Sequence, residues 1–323
     1  MNAEFDISIV VSSYNRENKV RQTIDSIFKN DLSVFTAVEL IIIDDGSPQP
    51  VENVLPSAEQ IPPRITMRFI KQPNSGIGAT RNRGFREARS RLVLFLDDDI
   101  ILEPDTIKKI YEAEEEHPGA VIFGNYPFIS HNSESLHQFA RLLFNYDDIT
   151  IQKEFEKVDA ITSGLLCVNK ERLGNPQNFY RDDMTVPAAE EHEVIARFSK
   201  MGIPIFHAKH IVTTHNHHLE LNWLAQQQFK YGMATAEAFI KSPEILEMEK
   251  FAKLQNSLQP KGGKKIIKLC LVSSPGRKLL LAYAKLLERL RPNTQHNKVF
   301  GLLTTIFFYA GYKQGMKRFS AKA

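Results

Sequence analysis

A chain of 323 residues with 42% hydrophobic content can bury one sizeable core plus an extension or a small second domain, which excludes a disordered or fibrous protein. Its two cysteines, Cys167 and Cys270, stand about a hundred residues apart without C-x-x-C or zinc spacing, which excludes a disulfide framework and fits a reducing compartment. The net charge of +3 conceals a basic tail: from Lys261 to Ala323 there are 14 Lys and Arg against one acid, Glu288, or +13, so the remaining 27 basic and 37 acidic residues give −10.

In chain order, periodicity and turn residues predict a strand at 6–12, a helix near 17–29, a strand at 38–43, an irregular proline-containing stretch at 47–63, a strand at 66–70, a helix near 77–89 and a strand at 91–96. Pro104, after Glu103, fits the first turn of a helix running to His117. Residues 125–157 read as irregular, aromatic and polar, suited to covering or shaping a site. A β-rich segment from Val158 to Val168 follows, then a helix from Glu190 to Met201. The βαβ alternation implies a mostly parallel sheet with helices on both faces. No apolar run approaches the roughly 18 residues of a spanning helix; the longest, Val299 to Tyr312, lies between Lys298 and Lys313. Glu4 and Asp6 ahead of a short apolar strand do not make a signal peptide.

The chemistry gathers at strand ends. Leu94-Phe95-Leu96 runs into Asp97-Asp98-Asp99, the pattern of a buried strand that delivers acids to its carboxyl end. Adjacent anions repel unless something positive sits among them, and Mg²⁺ favours one or two carboxylates plus substrate phosphate oxygens. On the triplet alone, a solvated acidic loop is the competing reading. Upstream, Leu40 to Ile43 ends in Asp44-Asp45-Gly46-Ser47-Pro48, and Ile7 to Val11 ends in Ser12-Ser13-Tyr14-Asn15. Aromatic ring, hydroxyls and carboxylates together suit a nucleotide.

In order and spacing, Val10-Val11-Ser12-Ser13-Tyr14-Asn15-Arg16, Ile43-Asp44-Asp45-Gly46-Ser47, Asn74-Ser75-Gly76-Ile77-Gly78 with Arg81-Asn82-Arg83-Gly84, and Phe95-Leu96-Asp97-Asp98-Asp99 resemble the family 2 inverting glycosyltransferases. The likeness continues more loosely through Glu190-Glu191-His192-Glu193, Arg197 and Gly202 to His215. It implies an α/β fold of GT-A type: a mostly parallel Rossmann-like sheet with helices on both faces, plus a helical C-terminal extension. Residues 1–218 would form the catalytic domain, with a nucleotide-binding half at 1–100 and an acceptor half at 101–218, and 219–323 the basic helical extension.

The resemblance also implies roles. Mg²⁺ or Mn²⁺ is expected at Asp97 and Asp99, with His215 close to the metal or diphosphate. A backbone extended through the triplet would point Asp97 and Asp99 to one side, matching the family's D-x-D, and Asp98 toward the ribose or the loop. Asp45 is expected at the uracil or ribose with Ser12 and Tyr14 beside it, while Asp44 suits a turn cap. Arg81 is positioned to meet the diphosphate, although Arg83 and Arg86 carry the same charge. Gly76-Ile77-Gly78 lacks the third glycine of a dinucleotide fingerprint and reads as a turn. Inversion needs a base for the acceptor hydroxyl. Glu191 falls where the family has the Asp of an E-D pair; the pair here is Glu190-Glu191, so either glutamate is open, against the plain reading of a helix start that collects acids for its dipole.

His207, His210, His215, His217 and His218 match no named zinc motif. Gln227, Lys230 and Tyr231 are similar to the Q-x-x-R-W signature of processive synthases, with Lys for Arg and Tyr for Trp; without spanning helices, the expectation is addition of one sugar or a few. In the tail, Leu279, Leu280, Tyr283, Leu286, Leu287 and Leu290 recur at helical spacing beside Lys278, Lys285 and Arg289. An anionic membrane surface is the expected partner and a packed helical subdomain forming a homodimer the alternative; nucleic acid is not expected. The resulting expectation is a metal-dependent inverting glycosyltransferase that moves a sugar from a nucleotide-sugar, a UDP-sugar, to a glycan or lipid-linked acceptor in cell-surface polysaccharide biosynthesis. It would act in the cytoplasm, peripheral at the inner face of the cell membrane. The rivals are a catalytically silent nucleotide- or glycan-binding scaffold and a sugar-phosphate nucleotidyltransferase.

Overall fold

The segments 7–13, 38–44 and 92–97 become strands buried almost throughout, their inner polar residues Ser8 and Glu39 bonded to each other, which is why they show no regular polar alternation. The structure, a computed structural model, describes residues 5–129, 134–143, 154–174, 176–258, 271–291 and 296–321. Its elements in chain order begin with β1 (Ile7–Ser13), α1 (Glu17–Phe28), β2 (Val38–Asp44), β3 (Ile65–Lys71), α2 (Ile77–Glu87), β4 (Leu92–Asp97), β5 (Ile100–Ile101), α3 (Thr106–Glu116) and β6 (Val121–Asn125). Next come β7 (Phe128–Ile129), α4 (Glu134–Leu143), β8 (Phe155–Lys157), β9 (Leu165–Asn169), α5 (Glu191–Met201), β10 (Ile205–Val212) and β11 (Thr214–His218). The last are α6 (Leu221–Lys241), α7 (Glu249–Ser257), α8 (Ser274–Leu290) and α9 (Asn297–Ser320).

Two units emerge. The first comprises Met1–Pro127, Asp148–Asp182 and Arg197–His217; the second comprises Phe128–Asp147, Asp183–Ala196 and His218–Ala323. The first unit holds a sheet in the order β3-β2-β1-β4-β9-β6-β10-β8. Strands β3, β2, β1 and β4 are mutually parallel, β6 is parallel to β10, and β9 runs antiparallel between β4 and β6. This mostly parallel sheet with covering helices is the expected α/β arrangement. In register, Ser12 lies opposite both Ile43 and Asp97, and Ser13 opposite Asp44, so the chemically marked ends of β1, β2 and β4 share one edge. Helix α2 packs closely on β1: a Cβ on Gly84 would collide with the Val10 side chain. The core beneath joins Ile7, Ile9, Leu40, Ile42, Leu94 and Leu96 to Val20, Ile24 and Ile27 of α1; each such side chain contributes about 1.5–3 kcal/mol on burial.

The stretch 125–157, read as irregular, contains a helix, α4, within its described part. Leu136, Phe139 and Ala140 are its buried apolar residues among those described, a short helical stripe that the intervening polar residues conceal in the sequence. The β-rich segment foreseen at 158–168 is also shifted, into β8 at the sheet edge and β9 inside it.

In the second unit the long helices α6 and α9 cross at backbone contact. A Cβ on Gly232 would strike the Phe308 carbonyl and one on Gly311 the Phe229 carbonyl, while one on Gly315 would stand 2.8 Å from the Met233 carbonyl oxygen. The apolar run 299–312 lies within α9 and buries Phe300, Leu303, Ile306 and Tyr309. Among the described residues, no helix is long and apolar enough to cross a membrane. Gly311→Ala should destabilise the fold by about 1–3 kcal/mol through overpacking. Gly301→Ala, on the same helix with its nearest neighbour 4.0 Å away, should be neutral or slightly stabilising; urea unfolding followed by circular dichroism separates the two.

Candidate functional site

Strand β4 ends at Asp97, and Asp98 and Asp99 form a turn that leads into β5. The alternation expected to send Asp97 and Asp99 to one side therefore does not operate, because the backbone leaves the extended conformation after Asp97. Asp97 has a cation of its own instead, while Asp98 and Asp99 share Arg16. Asp97, the most open of the three, accepts from Arg81 Nη2 at 2.6 Å. Asp98 accepts from Ser13 Oγ at 2.6 Å and from Arg16 at 3.2 Å. Asp99 meets Arg16 at 2.6 Å, Lys19 at 3.6 Å and His215 Nε2 at 3.2 Å.

The two buried members differ electrostatically. Burial pushes the Asp98 carboxyl up to about 7, with its acidic neighbours adding to the shift and Arg16 and Ser13 opposing it. Burial also acts against charge on Asp99, but the His215 hydrogen bond and the Arg16 and Lys19 charges outweigh it and hold the carboxyl well below the usual range. Arg16 belongs to the opening motif, yet its spacing alone assigned it no task; Lys19 carried no signal. Asn15 delivers both through a left-handed turn at φ +56°, which Asn tolerates, with its N–H donating to Ser47 Oγ at 2.8 Å.

Asp45 is fully engaged within the protein. It accepts from Gln72 Nε2 at 2.8 Å and from the N–H groups of Ser75 and Gly76 at 2.9 Å each, fixing the turn that opens α2. Asp44 caps the adjacent turn by accepting from Ser47 N–H at 2.9 Å. Gly46 sits between them at φ +78°, where a Cβ would lie 2.8 Å from Asn74 N. The Ser12 hydroxyl is buried without a hydrogen-bond partner among the described residues, and Tyr14 is 48% exposed.

The Arg81-Asn82-Arg83-Gly84 motif resolves into separate jobs. Arg81 is the arginine on Asp97, with its guanidinium over the Tyr180 ring at 5.6 Å. Asn82 accepts from Phe179 N–H at 2.9 Å and Tyr180 N–H at 2.7 Å, a positioning role not foreseen. Arg83 pairs with Glu87 and Arg86 with Asn178, on the helix surface. The histidines scatter as well: His207 bonds to Asn125 at 2.7 Å, while Lys19 reaches His217 at 3.3 Å. The side chain of His218 lies outside the described residues.

Glu190 and Glu191 belong to the second unit, at the start of α5, and α6 fixes the segment that leads to them. Buried Glu237 accepts from the N–H and hydroxyl of Thr185 and from Val186 N–H at 2.8–2.9 Å, and pairs with Lys241 at 2.8 Å. Val186 and Ala189 pack with Met233 and Ala234, Tyr231 lying against the cluster. Ala189, just before Glu190, is held at φ +56°, a conformation that costs a non-glycine roughly 1–2 kcal/mol. Beyond the glutamates, His192 Nε2 lies 3.3 Å from the Thr235 hydroxyl and its ring packs on Phe251.

Burial, helped by the Lys250 charge, lowers His192 from 6.5 to about 4, so the folded protein holds it neutral. Its contribution is complete above pH 6.5, where the unfolded chain is also neutral, and is lost as pH falls toward 4. Stability should drop by about 2 kcal/mol over that window. His192→Gln should flatten the drop in urea titrations at a series of pH values.

Asp97, Asp99 and His215 offer hard oxygen and imidazole donors, a set that fits Mg²⁺ or Mn²⁺. Among the described residues, no three His, Cys, Asp or Glu stand as a ready cage.

The family model described as glycosyl transferase family 2 matches residues 8–170, half of the chain. The chain is 29% identical over 144 residues to the putative teichuronic acid biosynthesis glycosyltransferase TuaG of Bacillus subtilis, covering 44% of this chain and 56% of TuaG. It spans between 18% and 56% of the length of the first curated relatives it matches. Two solved structures share the fold. The mannosyltransferase PcManGT of Pyrobaculum calidifontis, in complex with GDP-Man and Mn²⁺, superposes with TM-score 0.58 at 13% identity, covering 97% of this chain and 87% of that one. Residues 1–349 of S. aureus TarS in complex with UDP give 0.51 at 15% identity, covering 98% and 92%. With its sheet of GT-A type and the family model spanning β1 through β9, the chain belongs to glycosyl transferase family 2.

Proposed function

We propose that this chain is a metal-dependent inverting glycosyltransferase that moves a sugar from a UDP-sugar to a glycan or lipid-linked acceptor. The observation that carries the reading is the convergence of Ser12, Asp45 and the Asp97-Asp98-Asp99 triplet on the carboxyl-end edge of β1, β2 and β4 in a family 2 chain. Asp45 fixes the turn ahead of α2, which shapes the floor for the base and ribose, with Ser12 and exposed Tyr14 completing it. Arg81 provides fixed positive charge for the diphosphate. Mg²⁺ or Mn²⁺ held by Asp97 and Asp99, with His215 beside them, would supply Lewis-acid neutralisation of the departing diphosphate. Because Arg16, Lys19 and Arg81 already offset the triplet, the charge that recruits a cation arrives with the nucleotide.

Glu191 takes the acceptor hydroxyl proton as that oxygen attacks the anomeric carbon opposite the leaving nucleotide; the new glycosidic bond forms as the bond to the diphosphate breaks. Glu190, buried beside it, supports that posture. Relatives bind UDP in one case and GDP-Man in another, which supports a nucleotide-sugar donor. The name of TuaG supports a cell-surface polysaccharide as destination. Transfer of one sugar or a few suits Tyr231, which packs into the cluster beside Ala189. The basic extension would keep the enzyme at the inner membrane face, where a lipid-linked acceptor is concentrated.

Asp99→Ala should abolish transfer and Mn²⁺-dependent UDP binding, measured by calorimetry, in a chain that still folds but with a lowered thermal midpoint, because Arg16, Lys19 and His215 lose their buried anion. Full activity in EDTA would contradict the metal assignment. Glu191→Gln should bind donor normally yet lose at least about a hundredfold in turnover, the low end for general-base catalysis, with Glu190→Gln milder. Near-normal turnover of the Glu191 variant would transfer the role to its neighbour.

A further inference from the structure

We infer that the outward face of α8 is a docking surface for an anionic lipid bilayer. This deepens the proposed function, resting on it only for the reason the enzyme should meet a membrane. Leu279, Tyr283, Leu286 and Leu290 are 72, 53, 52 and 67% exposed, and their spacing sets them in one line along the helix. The opposite side is occupied: Leu280 and Ala284 are buried, and the Arg277 guanidinium lies 5.2 and 5.8 Å from the Phe229 and Phe307 rings of α6 and α9. The exposed line is thus a second apolar face, separate from the one that packs.

Charge identifies the occupant. Exposed Lys278, Lys285 and Arg289 form a parallel row about 100° round the helix from the apolar line. Glu288, the only acid of α8, lies beyond that row, in a cleft it shares with Glu220, Lys285 and Arg289. Two copies paired through the leucines would bring together two segments that each carry +13, which disfavours a dimer. A surface of lipid phosphates complements the row, and the +13 charge of residues 261–323 adds to the attraction. The apolar line, about 16 Å long at 1.5 Å per residue, suits a helix lying flat in the headgroup region. Tyr283, with an apolar ring and polar tip, belongs at that depth.

The test uses the full chain and vesicles of phosphatidylcholine, alone or with about a third phosphatidylglycerol. Sedimentation with anionic vesicles is expected near 0.1 M salt, and release at about 1 M, where the Debye length has fallen from about 10 to 3 Å. The combined Lys278→Glu, Lys285→Glu and Arg289→Glu variant should lose at least roughly a hundredfold in partitioning, since each cation is worth about fivefold near acidic lipid. Leu279→Gln with Leu286→Gln and Leu290→Gln should also fail to sediment, and both variants should keep wild-type Mn²⁺-dependent UDP binding. If a triple variant does not fold by circular dichroism, Tyr283→Gln alone must still weaken sedimentation. Unchanged sedimentation of folded variants would overturn the inference, as would a dimer in light scattering that the Leu279, Leu286 and Leu290 changes dissociate. Vesicle binding without turnover of any nucleotide sugar would strike the transferase reading and leave the docking face standing; transfer to a soluble acceptor without vesicle binding would do the reverse.

Discussion

Three consecutive carboxylates at the end of a buried strand must be compensated, and much of the first unit follows from how that is done. The compensating groups come from separate elements: Arg16 and Lys19 from the entry to α1, Arg81 from α2, His215 from β11. Parallel pairing of β1 with β2 and β4 brings the starts of α1 and α2 to one sheet edge, and antiparallel pairing of β11 with β5 brings His215 to Asp99. Compensation is also uneven. Asp99 is held firmly ionised while Asp98, enclosed with less positive charge, titrates near neutrality. One triplet therefore presents different proton affinities within a few ångströms.

The second unit solves a different problem, that of holding an irregular segment rigid without a sheet. Residues 183–190 have no strand to pair with, and one buried acid supplies acceptors in place of a ladder: Glu237 takes the backbone N–H groups of Thr185 and Val186. Lys241, one turn along α6, balances its charge. With those hydrogen bonds made, the left-handed Ala189 is sustained by packing against Met233 and Ala234. Strain adjacent to a pair of acids marks a place where geometry was kept despite its cost.

The sheet was legible because strands buried on both faces leave predominantly apolar runs, and because those runs stop at Ser12, Asp44 and Asp97, where the chain turns. The site was legible in membership more than in arrangement. Whether Asp98 continues β4 depends on where pairing stops, and the last bond there, from Asp97 N–H to the Gly164 carbonyl, joins residues far apart in sequence. The same distance hides the partners: nothing local in Lys19 announces Asp99, and nothing in Glu237 announces Thr185. Helix α4 was missed because its apolar stripe is short and set among polar residues.

The crossing of α6 and α9 has a consequence for how the protein fails. With Gly232 beneath the Phe308 carbonyl and Gly311 beneath that of Phe229, a slip of one residue would drive a side chain into backbone, so the two helices have one permitted alignment and no gradual way to loosen. Detachment of α9 is then all-or-none, and it would free α6 together with the clamp on residues 185–189. The core of the sheet contains none of these contacts. Heating would therefore produce a state in which the carboxyl-end edge of β1, β2 and β4 persists while Glu190 and Glu191 have lost their posture.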